Sequence, residues 1–522
     1  MKKYITLVIF ALALAVNIYF GFQKSGFHED EYYTYFSSNR SIGLYQPDRE
    51  WQDMQVILDE FVVKDGEGFN YSLVKLVQSW DVHPPLYYFI FHTVCSFIGA
   101  VFTKWSGIIT NLIAFAISFY VFDKLLIQLK CSDYLRWIIL AFWGLNPQTV
   151  SCNLLIRMYA WLTLFVFLCA FVHIRFVQAI DKGIVKNSKD LFLKYLLPIM
   201  VISYLGFLTQ YFYLFFFVGI GFSLTVWMFF GKKLRTKSII YVICCGVSLV
   251  AAVLTYPASV HHIFGGYRGN EAAGSLFDID STFLRMSFFT GLVNDFVFAG
   301  LLWLIVIAIA VAIVVRLNGK KIQGKKKDNI APELLILIIA TVFYFLMTAK
   351  SALLVGSASN RYEMPVYGLI IAVVIIGADH YIKISDGAVK RIAVIAILGL
   401  ILFKGFVIDK NVLFLYTEDV AKVQYASDNQ NEVAIVMFNP ASPHNVWRLT
   451  DELLQYHEVY YMDEENLEAL TDERILSADK IVLYVADNEY QEKALQNLMD
   501  SAGLYEMNQI FTEDMWKTFE LK

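Results

Sequence analysis

The stretch PPLYYFIFHTVCSFIGAVF, residues 84–102, decides how this chain is arranged. It is apolar enough to be counted as a membrane span, and if it crossed, every later loop would change sides. The loops therefore vote through their lysines and arginines, which favour the cytoplasmic side of a membrane. With 84–102 kept out of the membrane, spans fall near 4–22, 105–123, 137–154, 159–176, 195–210, 212–230, 238–256, 291–315, 333–349, 364–382 and 391–408. The inner loops then hold Lys124, Lys130 and Arg136; Arg175, Lys182, Lys186, Lys189 and Lys194; and Lys232, Lys233, Arg235 and Lys237. Arg316, Lys320, Lys321, Lys325, Lys326, Lys327, Lys383, Lys390 and Arg391 fall on the same side. After the first outer loop, the outer loops hold little beyond Arg157, Arg268, Arg285, Lys350 and Arg361, a bias of about four to one. If 84–102 crossed, all the basic clusters would be translocated. The segment is expected to lie flat on the outer surface, opened by Pro84-Pro85 and carrying His92.

Composition agrees with a membrane chain. Of 522 residues, 57% are apolar and only 17% charged, against about 25% charged in soluble domains. A net charge of −4 gives no reason to expect nucleic acid as a partner. Met1-Lys2-Lys3 followed by an apolar run to Phe22 is expected to be an uncleaved first span with its basic end in the cytoplasm. The run is long for a signal peptide, and no small-residue cleavage site follows it. All six cysteines precede residue 250, and the adjacent Cys244 and Cys245 read as small core residues of a span.

The expected fold class is thus an all-α polytopic membrane protein of about eleven helices, with a small α/β domain at its end. The membrane domain is placed at 1–408, with a first outer loop over 23–104 carrying amphipathic stretches at 49–64 and 70–80. The remainder, 409–522, is placed outside. There, apolar strands (Val433–Phe438, Val459–Met462, Ile481–Val485, Tyr505–Phe511) alternate with polar helical stretches such as 489–502. Nothing in 409–522 looks catalytic. Its acids read as solvated, and His444 and His457 as isolated.

Ionisable residues gather at the outer ends of helices. His28-Glu29-Asp30-Glu31 follows the first span, and Asp81-Val82-His83 opens the flat segment. Arg157-Met158-Tyr159, Thr209-Gln210-Tyr211 and Asn360-Arg361-Tyr362 stand at later helix boundaries. Taken singly, each reads as an interfacial anchor or an aromatic-belt tyrosine. Three adjacent carboxylates beside hydrocarbon, however, repel one another and call for a compensating cation or metal. His261-His262 could be metal ligands, but a neighbouring pair is weak evidence for that. Together the acids and arginines suit a lipid-tailed, anionic-headed substrate, because guanidinium matches phosphate geometry. A carboxylate there can deprotonate an acceptor hydroxyl for attack at an activated carbon.

The pieces HEDEYY (28–33), DVHPPLYY (81–88), RMYAWLTLF (157–165), LGFLTQYFYLFF (205–216) and RYEMPVY (361–367) occur in that order. Over roughly residues 1–400 the chain resembles the bacterial polyprenyl-phosphate-dependent glycosyltransferases of the GT-C superfamily. These are relatives of the protein O-mannosyltransferases and of the lipid A aminoarabinose transferase. The resemblance implies inverting transfer of a hexosyl or pentosyl group from a polyprenyl-phosphate carrier to an extracytoplasmic acceptor, a cell-envelope glycan, lipid or protein. It implies that Asp30 and Glu31 do the base chemistry, with Asp30 the base itself. The donor phosphate would meet Arg157, Tyr159, Arg361 and Tyr362, and the pocket would include Glu29, His83, Gln210 and Tyr211. No cofactor is firmly implied; a divalent cation stays open, with no metal ligands assigned.

The chain departs from the family's pattern at three points. Gln210 stands where many relatives have His, Ile156 where an acid often precedes the Arg-Met-Tyr motif, and Lys104 where an arginine commonly opens the second span. They bear on how donor and metal are handled. A transporter or flippase is the main non-enzyme alternative, and would be expected to show an inverted repeat and broken helices at mid-membrane. A scaffold holding the terminal domain outside is the other.

Overall fold

The computed structural model describes residues 2–39, 47–185, 187–322, 330–382, 387–463, 471–486, 491–512 and 515–522. Residues 325–327 of the basic loop, with Lys186 and Lys383, lie outside that set, as do 489–490 of the expected helix. The fold is mostly helical and divides into two compact units. The first is built from 1–22, 78–90 and 107–413, the second from 23–77, 91–106 and 414–522. The first outer loop and the tail thus contribute to one unit.

Among the described residues, nine helices are long and apolar enough to cross a membrane. They are Tyr4–Gln23, Lys104–Gln128, Tyr159–Asp181, Ser188–Thr209, Tyr213–Gly231, Arg235–Thr255, Pro332–Ser351, Gly356–Tyr381 and Gly387–Ile408. The stretch that decided the arrangement forms a helix over Leu86–Ile98 only. Its 13 residues reach about 20 Å at 1.5 Å each, short of a hydrocarbon core about 30 Å thick.

Two expected spans take other forms. The span expected at 137–154 is two short helices, Asp133–Gly144 and Pro147–Leu154. The cause is local: Pro147 cannot continue a helix from behind, and Asn146 caps the new one by accepting the Gln148 N–H at 3.0 Å. The span expected at 291–315 is also interrupted. Thr282–Val297 and Leu302–Val315 meet at 99°, through Ala299 and Gly300 at φ 49° and 84°. This is one broken helix where none was expected. Cys244 and Cys245, expected in the core, are half-buried.

Buried asparagines join the helices where the chain breaks. Asn153 donates to Asn17 Oδ1 at 2.8 Å, and Asn111 Nδ2 donates to the carbonyls of Asn153 and Leu155 at 3.2 and 2.6 Å. In an apolar interior such polar groups hold position because leaving them unmade is costly. Ile156 fills the space at Gly107, where an added Cβ would overlap its side chain.

The second unit carries a six-stranded mixed sheet in the order β1-β3-β2-β4-β6-β5. Its strands are β1 (Trp51–Asp53), β2 (Val433–Met437), β3 (Glu458–Met462), β4 (Ile481–Ala486), β5 (Met507–Thr512) and β6 (Trp516–Leu521). β3, β2 and β4 run parallel; β6 and β5 are antiparallel additions. The sixth strand was not expected, nor was β1, which comes from the first outer loop and pairs antiparallel with β3. Trp51 fixes that pairing by donating its Nε1–H to Asp472 at 2.8 Å beneath the Arg474 guanidinium. The helix Gln491–Ala502 packs Leu498 onto a core that includes Ile435, Ile481, Leu483 and Phe519.

Candidate functional site

The acidic motif opens a helix in the second unit. Glu29, Asp30 and Glu31 form the first turn of Glu29–Asn39, where the exposed N–H groups and the helix dipole favour negative charge. The two inner acids are in different situations. Glu31 is fully buried, and its Oε2 lies 2.9 Å from the equally buried Lys24 Nζ. It also accepts the His28 backbone N–H, as a third-position glutamate does in a capping box. Asp30 keeps 32% of its side chain exposed and lies 3.6 Å from His28 Nδ1. That nitrogen accepts the Asp30 backbone N–H at 3.1 Å, so the ring is held as an acceptor toward it. Of the two acids, Asp30 is thus the one that a solvent-borne hydroxyl can reach. Glu29 is half-buried beside it.

The surroundings of this motif were not foreseen. Lys24 also donates to the Phe414 carbonyl at 2.9 Å, and its ammonium lies over the rings of Phe27 and Tyr416. Acids of the tail, expected to be solvated, are partly drawn in: Glu452 and Asp463 are buried. Burial pushes the Asp451 carboxyl up to about 7; Asp419 and Glu31 add to the rise, while Lys24 and Lys104 oppose it. Sequence could not supply this, because the partners are hundreds of residues apart.

The arginine motifs lie in the first unit. Arg361 and Tyr362 begin the helix Asn360–Tyr381 and are buried. Arg361 Nη2 donates to Tyr362 Oη at 3.1 Å, and the guanidinium lies 5.0 Å from that ring's centre. Tyr362 packs edge-on against Tyr159 and Phe212, with centroids 5.9 and 5.8 Å apart. Three separate motifs therefore meet around Tyr362. Its carbonyl accepts the Tyr344 hydroxyl at 2.9 Å, while Pro365 supplies no N–H to the Arg361 carbonyl. Arg157 is buried in the short connection between Pro147–Leu154 and Tyr159–Asp181. Glu363 is fully buried, and neither of its carboxylate oxygens has a hydrogen-bond partner among the described residues.

Gln210 is occupied locally, its Oε1 accepting the Phe212 N–H as the chain turns between helices. Tyr211 is joined to the 78–83 segment by a residue read only as a weak metal-ligand candidate. His262 Nε2 meets the Ser79 carbonyl at 3.2 Å, and its Nδ1 meets Tyr211 Oη at 2.9 Å. A carbonyl only accepts, so Nε2 carries the proton and Nδ1 takes the Tyr211 O–H. Burial lowers the imidazole pKa, against the opposing pull of the Ser79 carbonyl and Asp81, which favours this neutral ring. Gln78 donates to Asp81 Oδ2 at 2.8 Å and to the His83 carbonyl at 3.2 Å.

Among the described residues, no group of three or more His, Cys, Asp or Glu side chains is arranged to hold a metal ion. A cavity of about 10 Å³, room for a single water, lies between Ser118, Gln148, Asn153 and Tyr367; none of the expected site residues lines it.

These features define a mostly helical, multi-pass membrane protein with a small terminal mixed-sheet domain. Among solved structures, ArnT from Cupriavidus metallidurans bound to undecaprenyl phosphate is similar over 98% of this chain and 97% of its own. The TM-score is 0.51 at 12% identity. The apo form of the same protein is similar over 99% and 97%, with a TM-score of 0.47 at 10% identity. No protein-family profile matches the chain, and no curated protein sequence matches it.

Proposed function

We propose that this chain is an integral membrane glycosyltransferase that moves a sugar from a polyprenyl-phosphate carrier to an extracytoplasmic acceptor. The observation that carries the proposal is the likeness in fold, over nearly the full length of both chains, to a structure holding undecaprenyl phosphate. In this reading Asp30 takes the proton of an acceptor hydroxyl as its oxygen attacks the anomeric carbon. The bond from that carbon to the carrier phosphate breaks, and the configuration inverts. Arg157 and Arg361 stabilise the charge that develops on the leaving phosphate, with Tyr159 and Tyr362 beside them. Glu29, His83, Gln210 and Tyr211 belong to the pocket, and the acceptor is an envelope glycan, lipid or protein. The N-terminus lies in the cytoplasm and the reaction takes place outside.

Two observations support giving Asp30 rather than Glu31 the base role. Its carboxylate is part-exposed, and Glu31 is already committed to Lys24. The test is to supply the purified full chain with a panel of polyprenyl-phosphate sugars and follow free polyprenyl phosphate. Wild type releases it, and Arg361→Ala releases it at least tenfold more slowly. A transporter is the second reading, favoured by the 99° break between Thr282–Val297 and Leu302–Val315. Transfer of an intact lipid-linked sugar across reconstituted vesicles, without release of carrier phosphate, would establish it instead.

A further inference from the structure

The segment 414–419 lies against the acid-bearing loop of the second unit at Lys24, Ser25, Gly26 and His28. Lys24 Nζ donates to the Phe414 carbonyl at 2.9 Å, and the Ser25 backbone N–H donates to the Leu415 carbonyl at 2.7 Å. Gly26 has no room for a side chain: a Cβ there would overlap Asp419 Oδ2 and come within 2.9 Å of Tyr416 Cβ. His28 stacks edge-on to Phe414 at 5.9 Å. From the other side, Lys104 donates to the Lys24 carbonyl. Phe414 and Tyr416 adopt left-handed backbone, at φ 65° and 51°, a conformation that non-glycine residues hold only when their surroundings impose it. Lys24 and Glu31, both fully buried, complete the contact with an ion pair. Such a pair is a weak source of net stability, but removing one partner leaves an uncompensated charge.

We infer that Lys24 and the 414–419 segment are a brace that positions Asp30, so that the tail of the chain is part of the base's machinery rather than an appendage. Lys24 is a positioning residue. Its ion pair commits the buried Glu31, so that Asp30 is the acid of the pair that is part-exposed, and its bond to the Phe414 carbonyl fixes the loop from which Asp30 projects. This rests on the glycosyltransferase reading for its consequence, but not for its structural content.

The experiment compares the full-length wild type with Lys24→Met, Glu31→Gln and the Lys24→Met/Glu31→Gln double variant, by turnover and by amide hydrogen exchange. Lys24→Met lowers kcat about 100-fold while the KM for the lipid donor changes less than about threefold, because the loss is in placing the base. The double variant, free of the stranded carboxylate, recovers about tenfold of that loss. A purely structural role would not lower kcat while sparing the donor KM in this way. In exchange, Lys24→Met deprotects the amides of 25–31 and 414–419 together and leaves those of β2 and β4 unchanged. If Lys24→Met fails to fold, the double variant carries each comparison against wild type. Wild-type turnover with unchanged kcat in Lys24→Met, or in the double variant if that single variant does not fold, overturns the brace while leaving the transferase reading intact. Unchanged protection at 414–419 overturns it as well. If wild type turns over no donor, the transferase reading falls, and joint deprotection of the two segments still decides the brace.

Discussion

Asp451 shows how a side chain of the tail becomes part of the acid loop's electrostatics. Burial, Asp419 and Glu31 hold its carboxyl at about 7, against 3.8 in the unfolded chain. Between those values the folded state binds a proton that the unfolded state has released, so stability falls as pH rises from about 4 to 7. Asp451→Asn removes that loss. Its melting temperature, followed from pH 5 to pH 8, is expected to decline less than that of wild type and to exceed it by a few degrees at pH 8; a parallel decline in both proteins would contradict the assignment. At this scale the sequence was informative where chemistry is local. Three adjacent carboxylates beside an apolar run mark themselves, so Glu29, Asp30 and Glu31 could be read. Their division of labour could not, because Glu31's commitment depends on Lys24 and, through it, on Phe414, 390 residues away. Asp451 was invisible for the same reason.

Among the elements, the helix Leu86–Ile98 and the break at Asn146-Pro147 bear most on the count of spans. The first is too short to cross, as the loop charges required. The second was legible in part, since Pro147 interrupts a stretch already short for a span, but the capping by Asn146 shows only in the structure. The small elements were harder. β1 is three residues long and gains its strand character only by pairing with β3, so no local pattern announces it. The connection of Tyr211 to the 78–83 segment likewise runs through His262, from a third stretch of sequence. A double-mutant cycle addresses that connection. His262→Ala and Tyr211→Phe should each lower kcat/KM, and the double variant should be little worse than the poorer single variant, a coupling of at least about 1 kcal/mol. Additive losses would show that His262 does not act through Tyr211.

At the scale of the whole molecule, the class of fold was open to sequence reading because the membrane imposes it. Long apolar helices follow from the solvent, whatever the chemistry. The count of eleven spans became nine long helices, one bent pair and one interrupted pair among the described residues, each change caused by a capping asparagine, a proline or a left-handed turn. What composition could not give is that 23–77 and 91–106, most of the first outer loop, form one compact unit with the tail from 414. On the function proposed above, this membrane scaffold carries out sugar transfer with Asp30 as base. The most direct measurement is mass-spectrometric quantification of free polyprenyl phosphate released from a panel of polyprenyl-phosphate sugars by the purified full chain, wild type against Asp30→Asn. Release by wild type, lowered in Asp30→Asn by about 10²–10⁴-fold, is the predicted result. Turnover undiminished in Asp30→Asn, or no release from any donor by wild type, would contradict it.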